Sequence, residues 1–193
     1  MKKITLILAT IGRVIEVDEF IQSLLLQDNL CSELELIVVD QNKDGRLDAI
    51  VNKHKLKISI IHIKSDLIGL SKNRNIGLKF ASGDIVGYPD DDCTYYKTTL
   101  ASVERKFLDP RVDLVIGRIY DIERNVNIIK KWPKIEVKIN KLNYYNFVSS
   151  ITMFQRGNNC GFDDEFGVGS EYGSNEDADL VYRLLNKKCT ILY

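Results

Sequence analysis

Strand-length apolar runs alternate with segments of helical period along most of this chain, and that alternation restricts it to a layered α/β domain with a mostly parallel sheet. Ile4 to Ala9 reads as the first strand, and Val17, Phe20, Ile21 and Leu24 then share one helical face. Leu34 to Val39 makes a second strand ending at Asp40, Asp48 to His54 a short helix, and Ile58 to Ile63 a third strand. Ser71 to Ala81 reads as a helix with Ser71 as its N-cap, followed by a fourth strand, Ile85 to Tyr88. Leu100, Val103 and Phe107 form a helical stripe that Pro110 ends, and Val112, Leu114 and Ile116 alternate as a strand does. Beyond that the order weakens. Tyr120 to Asn146 is polar and lysine-rich without clear period and reads as an insertion or mobile loops. Phe147 to Phe154 reads as another strand, and Asn175 to Asn186 as a helix with Ala178, Val181 and Leu185 inward.

The 193 residues suffice for one domain with a well-buried core. Lysine plus arginine and aspartate plus glutamate number 27 each, so no overall charge favours nucleic acid. Cys31, Cys93, Cys160 and Cys189 form no CxxC pair, which points away from a zinc site or a disulfide framework and fits a reducing cytoplasm. The start, MKKITLILAT, has too short an apolar stretch for a signal peptide, and no segment approaches the roughly 20 apolar residues that span a bilayer.

Three consecutive carboxylates, Asp90, Asp91 and Asp92, follow the fourth strand. Such crowding is unfavourable unless water, a cation or a positive partner compensates it. A strand end that delivers carboxylates can present hard oxygen ligands to Mg²⁺ or Mn²⁺ beside a substrate phosphate. The run GLSKNRNIG, Gly69 to Gly77, opens a helix with Lys72 and Arg74 in its first turn. That sign opposes the helix dipole, and a bound phosphate would correct it, although a solvated basic helix start is an equal reading. Asp40 opens DQNKDG, which matches the start of an EF-hand loop but has Val51 where calcium needs a glutamate. Asp40 suits instead a ligand crevice beyond the strand ends, or an ordinary turn. SNEDADL, Ser174 to Leu180, fits an approximate capping box between Ser174 and Asp177, while the glycines at 161, 167, 169 and 173 upstream suggest a loop framing a substrate.

Together, LILATIGR, IVVDQNKDG, GLSKNRNIGL, GDIVGYPDDDC and FDDEFGVGSEYGSNEDADLVYRLL resemble, in order and over nearly the whole chain, the family 2 inverting glycosyltransferases of the GT-A fold, in their bacterial surface-polysaccharide form. The resemblance implies a single Rossmann-like GT-A domain over 1–193, with a nucleotide-sugar part at 1–118 and an acceptor-side part at 119–193. It places Thr10, Arg13 and Asp40 at the base and ribose, with Lys72 and Arg74 near the phosphates. Asp90 falls on the nucleotide side and near the metal, and Asp92 is the expected ligand of Mn²⁺ or Mg²⁺. Asp177, with Glu176 beside it, corresponds to the acceptor-side catalytic pair. Asp91 is the member of the triplet least expected to matter.

The implied reaction moves a sugar, with inversion, from a nucleotide-diphospho-sugar, taken as a UDP-sugar, to a glycan or lipid-linked acceptor, in the cytoplasm or at the inner face of the membrane. Lys130, Lys131, Lys134, Lys138 and Lys141 around Trp132 are candidates for contact with an anionic membrane. The chain stops at Thr190 to Tyr193, where members of that family continue, which predicts a truncated or partial protein. Two rival readings stand. DDDCT fits the haloacid-dehalogenase phosphatase motif with Asp90 as nucleophile, although such a motif belongs after a first strand, and a non-catalytic nucleotide-binding domain would need the same crevice without the base.

Overall fold

The computed structural model describes residues 2–157 and 160–193. The first half alternates strictly: β1 (Lys3–Thr10), α1 (Ile15–Leu25), β2 (Glu33–Asp40), α2 (Asp48–His54), β3 (Ser59–Lys64), α3 (Leu70–Leu78) and β4 (Ile85–Gly87). Then come α4 (Thr99–Lys106), β5 (Val112–Ile116), the small pair β6 (Tyr120–Asp121) and β7 (Val126–Asn127), and β8 (Lys138–Ile139). The chain ends with β9 (Met153–Arg156), α5 (Glu176–Asn186) and β10 (Thr190–Leu192). No helix among the described residues is long and apolar enough to cross a membrane.

Eight strands form one sheet in the order β3-β2-β1-β4-β9-β5-β10-β8. β3, β2, β1 and β4 are mutually parallel, as is the β5–β10 pair, while β9 runs antiparallel between β4 and β5. Because the chain steps outward from β1 to β3 and then returns to place β4 on the other side of β1, the strand order reverses at β1. An open α/β sheet forms its ligand crevice at such a switch point, beyond the C-terminal strand ends. Thr10, Asp40 and the acidic triplet lie at those ends.

Strand alternation divides the core into two layers. Leu6, Leu8, Leu36 and Val38 join Phe20, Leu24, Leu100 and Phe107 on the α1/α4 side, while Ile7, Ile37, Val39 and Val86 join Leu78, Leu180 and Val181 on the other. Each such side chain contributes about 1.5–3 kcal/mol by leaving water. Gly77 permits the approach of α3, since a Cβ there would lie 2.4 Å from Ile7 Cγ2.

Four local expectations are corrected. Residues 147–152 do not form a strand: the segment includes a 3-10 turn at Ser150–Thr152, and β9 starts only at Met153. The 120–146 stretch is ordered by the end of the chain rather than irregular throughout. Its β8 pairs with β10, Val137 and Tyr193 exchange backbone bonds, and Trp132, 5 % exposed, stacks on Tyr193 with ring centroids 5.8 Å apart. Ser71 does not cap α3, which starts one residue earlier behind Gly69 at φ 131°; its hydroxyl donates instead to the Phe166 carbonyl at 2.6 Å. Ser174 does not cap α5 either. Asn175, left-handed at φ 70°, occupies the N-cap position, and Asp177 accepts from the Ala178 N–H at 2.7 Å.

Candidate active site

The helical period of α3 decides the centre of the site. Ser71, Arg74 and Leu78, three and four residues apart, share the face turned to the sheet, so a cation is carried inward along with them. Arg74 is fully buried, with its guanidinium carbon 5.1 Å from the centre of the Phe162 ring. Its Nη2 donates to Asp90 Oδ1 at 2.7 Å, and its Nη1 lies 3.6 Å from Glu176 Oε1. Arg74 therefore stands between the acidic triplet after β4 and the acidic start of α5, 86 residues later in sequence. Its Nε and Nη1 have no hydrogen-bond partner among the described residues. Here the Arg74 side chain links the two acidic segments from beneath.

The rest of the triplet faces the loop after β1. Asp91 Oδ2 accepts from Thr10 Oγ1 at 2.6 Å, and Arg13 reaches Asp91 Oδ1 at 3.1 Å and Asp92 Oδ2 at 2.9 Å. Asp91, least regarded on sequence, thus organises Thr10 and Arg13. The Asp92 side chain remains 49 % exposed. Burial raises the Asp90 carboxyl above its ordinary range; Arg74 opposes this, and repulsion from Asp92, Asp91 and Glu176 adds to it. Burial likewise raises Asp91, against Thr10 and Arg13 and with Asp92. Three carboxylates here face two guanidinium groups, Arg13 and Arg74, so the triplet keeps a net negative charge. Hard oxygen donors with one exposed carboxylate suit a divalent cation that also binds phosphate oxygens, because Mg²⁺ commonly takes only one or two protein carboxylates in such sites.

Asp40, fully buried at the end of β2, is already saturated. Oδ1 accepts from the Asn42 backbone N–H at 2.9 Å and from Asn42 Nδ2 at 2.7 Å, while Oδ2 takes Lys64 Nζ at 2.7 Å and lies 3.0 Å from His62 Nε2. Burial raises this carboxyl, but those bonds, Lys64 foremost, outweigh it and hold it below its ordinary value. The parallel register pairs Asp40 with Lys64 and Val38 with His62, so period-two alternation puts all three side chains on one face. Asp40, Asp48 and His62 bring possible metal-ligating atoms within 4.8 Å of one another. Lys64 Nζ, 2.7 Å from Asp40 and 2.9 Å from Asp48, already supplies the cation there. Among the described residues the triplet does not form such a three-ligand group.

Asn42 Oδ1 accepts from Gly12 N at 2.7 Å and joins the loops after β1 and β2. Between them lies a crevice of about 440 Å³ lined by Ile11, Gly12, Gln41, Asn42, Lys43, Asp44 and Arg46. A larger cavity, about 670 Å³, is lined by Lys2, Cys31 and Glu104, at the opposite end of a strand about 25 Å long, and is remote from these carboxylates. Lys72, half-buried in the first turn of α3, has no ion pair or hydrogen bond among the described residues.

Asp177 is partly exposed in the first turn of α5. Lys130, which the sequence placed only among surface lysines, lies close enough to interact electrostatically with it. Phe162 beneath Arg74 and Lys130 within electrostatic range of Asp177 carry no sequence signal of their own, since both depend on loops whose paths the pattern leaves open.

An open α/β sheet with carboxylates at its switch point has the architecture in which nucleotides are commonly bound. The profile of the family described as Glycosyl transferase family 2 matches residues 5–167, and the chain belongs to that family. It is 27 % identical over 125 residues to the poly(ribitol-phosphate) β-N-acetylglucosaminyltransferase TarP of Staphylococcus aureus strain N315, covering 64 % of this chain and 38 % of that protein. To TarS of S. aureus strain Mu50 / ATCC 700699, named for the same activity, it is 32 % identical over 102 residues, covering 52 % of this chain and 18 % of that protein. The crystal structure of S. aureus TarS 1–349 in complex with UDP superposes with a TM-score of 0.77 at 24 % identity, over 98 % of this chain and 57 % of that one. The mannosyltransferase PcManGT from Pyrobaculum calidifontis, in complex with GDP-Man and Mn²⁺, gives 0.55 at 24 % identity over 61 % of this chain and 35 % of that one. These likenesses establish the GT-A fold expected from the sequence. The chain spans well under half the length of the curated relatives it matches.

Proposed function

We propose that this domain transfers a sugar from a UDP-sugar, with UDP-N-acetylglucosamine the first candidate, to a hydroxyl of a polyol-phosphate or glycan acceptor, with inversion. The observation that supports this reading is the convergence of two acidic segments on one buried arginine: Arg74 is 2.7 Å from Asp90 and 3.6 Å from Glu176. That arrangement supports a reading with the leaving group at the triplet and the acceptor at the start of α5. The named activities of TarP and TarS supply the donor and acceptor classes.

In this reading the nucleoside occupies the crevice between the loops after β1 and β2, flanked by Thr10 and Arg13. Asp40, whose oxygens are engaged, holds that wall through Asn42 and Lys64, and Lys72 is free to approach a diphosphate oxygen. Asp92 and Asp90 would hold Mg²⁺ or Mn²⁺, which supplies Lewis-acid stabilisation of the diphosphate. The acceptor oxygen attacks the anomeric carbon from the side of α5. The bond from that carbon to the diphosphate oxygen breaks, the leaving UDP keeps the electron pair, and the hydroxyl proton passes to the Asp177 carboxylate as general base. Glu176, drawn toward Arg74, fixes the start of the helix that carries Asp177.

Family membership leaves the phosphatase reading of Asp90 without support. Its oxygen is committed to a buried guanidinium, a poor setting for a nucleophile. The test is Asp177→Asn in a transfer assay with UDP-N-acetylglucosamine: loss of at least about a hundredfold in turnover with UDP affinity retained is expected for a general base. Unchanged turnover would remove Asp177 from the reaction.

A further inference from the structure

Three tyrosines and two lysines form a chain of contacts from the N-cap of α5 to its middle. Tyr145 Oη donates to Asn175 Oδ1 at 3.0 Å, tying this surface to the N-cap position two residues before Asp177. Tyr144 meets Tyr145 edge-on with centroids 6.1 Å apart, and meets Tyr182 on α5 at 5.8 Å. Lys130 Nζ lies 5.4 Å from the Tyr145 centroid, and Lys141 Nζ lies 5.6 Å from that of Tyr182. Tyr145 and Tyr182 are 58 % and 44 % exposed, so two rings show open area beside two ammonium groups.

The chemistry of Lys130 is the informative part. Its Nζ donates to the Tyr145 carbonyl at 2.6 Å, yet it has no carboxylate within ion-pair distance among the described residues. Partial burial lowers its pKa, and Asp177 only partly offsets this. An ammonium that has lost water without gaining a full counter-ion is most stabilised by an incoming anion. The site also has an electrostatic problem that such a cation solves. Glu176, Asp177 and the triplet repel any negatively charged acceptor, and Lys130 and Lys141 lie on a surface tied to the start of α5. Exposed aromatic faces flanking the cations suit the carbon edge of a polyol or sugar between charged links.

We propose that Lys130 and Lys141, with the Tyr145 and Tyr182 rings, bind a phosphodiester-linked polyol acceptor, Lys130 taking the phosphate adjacent to the hydroxyl presented to Asp177. This rests on the transferase reading above and adds to it a choice of the anionic acceptor over a neutral glycan and the residues that select it. Lys130 is a positioning residue: it holds the acceptor and takes no proton.

The test is calorimetric titration of a synthetic phosphodiester-linked polyol oligomer into the protein, with a neutral oligosaccharide of equal length as comparator and UDP titrated separately. Lys130→Met is expected to weaken oligomer binding at least tenfold and Lys130→Arg to restore most of it. Lys134→Met, at an exposed lysine outside the surface, is expected to leave it unchanged. Oligomer affinity unaffected by Lys130→Met, or equal affinity for the neutral comparator, would overturn the proposal. So would oligomer failing to bind while UDP binds, which leaves the donor reading standing; failure of UDP itself would sink that reading and this one with it. If vesicles containing anionic lipid sediment the protein through Lys130 while the oligomer does not bind, the surface serves a membrane and the proposal fails.

Discussion

Arg74 Nη2 donates to Asp90 Oδ1 at 2.7 Å from a side chain with no solvent exposure, so the first carboxylate of the triplet is held from below by a cation that came in on the apolar face of α3. That one pair fixes which parts of the triplet are available. Asp90 is partly committed, Asp91 organises Thr10 and Arg13, and Asp92, paired with Arg13, stays about half exposed. The same guanidinium approaches Glu176, so a change at its position reaches both acidic segments.

Arg74→Ala leaves Asp90 and Glu176 without their shared cation and opens a void over Phe162. Removing one partner of a buried charge pair costs about 3–5 kcal/mol. Urea unfolding followed by circular dichroism should show a loss of that order. Asp90→Asn, which keeps a hydrogen-bond acceptor for Arg74, should lose less.

Gly77→Ala should destabilise by about 1–3 kcal/mol, the usual cost of overpacking. The added Cβ would meet Ile7 Cγ2 at 2.4 Å, and a β-branched side chain cannot turn away cheaply. The same unfolding measurement checks it, and a neutral result would mean that α3 slides freely on β1.

Asp18 links α1 to α2, with His54 Nε2 at 2.5 Å, Lys53 at 2.9 Å and Gln22 at 2.8 Å. Burial raises its carboxyl, but the bonds from His54, Lys53 and Gln22 prevail and lower it from 3.8. A carboxylate with a depressed folded pKa contributes stability above the unfolded value, and that contribution disappears as pH falls through the folded one. Asp18→Asn should therefore be less stable than wild type at neutral pH, with the difference shrinking below about pH 4. A constant difference from pH 7 to pH 2 would contradict this assignment.

Trp132 is the chain's only tryptophan, so its fluorescence reports one place. Its burial against Tyr193 predicts a blue-shifted emission maximum that anionic vesicles do not move. Trp132→Ala should cost about 3–5 kcal/mol, as deletion of a packed aromatic does. Red-shifted emission would contradict this packing, and a blue shift on vesicle addition would favour the membrane contact read from the lysine-rich segment.

The fold was largely legible because its first half follows local rules. Strands buried on both faces read as apolar runs, and the stripe Val17, Phe20, Ile21 and Leu24 is wholly buried as its period required. Legibility failed where order comes from distant partners. β8 exists because β10 and Tyr193 pair with it, and β9 begins at Met153 because β4 and β5 flank it there. Within the candidate site, residue types identified the carboxylates, yet only the packing of α3 reveals that Arg74 serves them from beneath. Lys64 and His62 were within reach of a register argument, since Asp40 pairs with Lys64. Lys130 was not, because nothing in the sequence brings residue 130 to Asp177.

The most direct test of the central claim is titration of UDP into this protein with and without Mn²⁺, for wild type and for Asp92→Ala. Binding that strengthens with Mn²⁺ and weakens at least tenfold in Asp92→Ala is the expected result. UDP binding that is absent, or indifferent to both the metal and Asp92, would contradict the assignment of this crevice to a nucleotide-sugar.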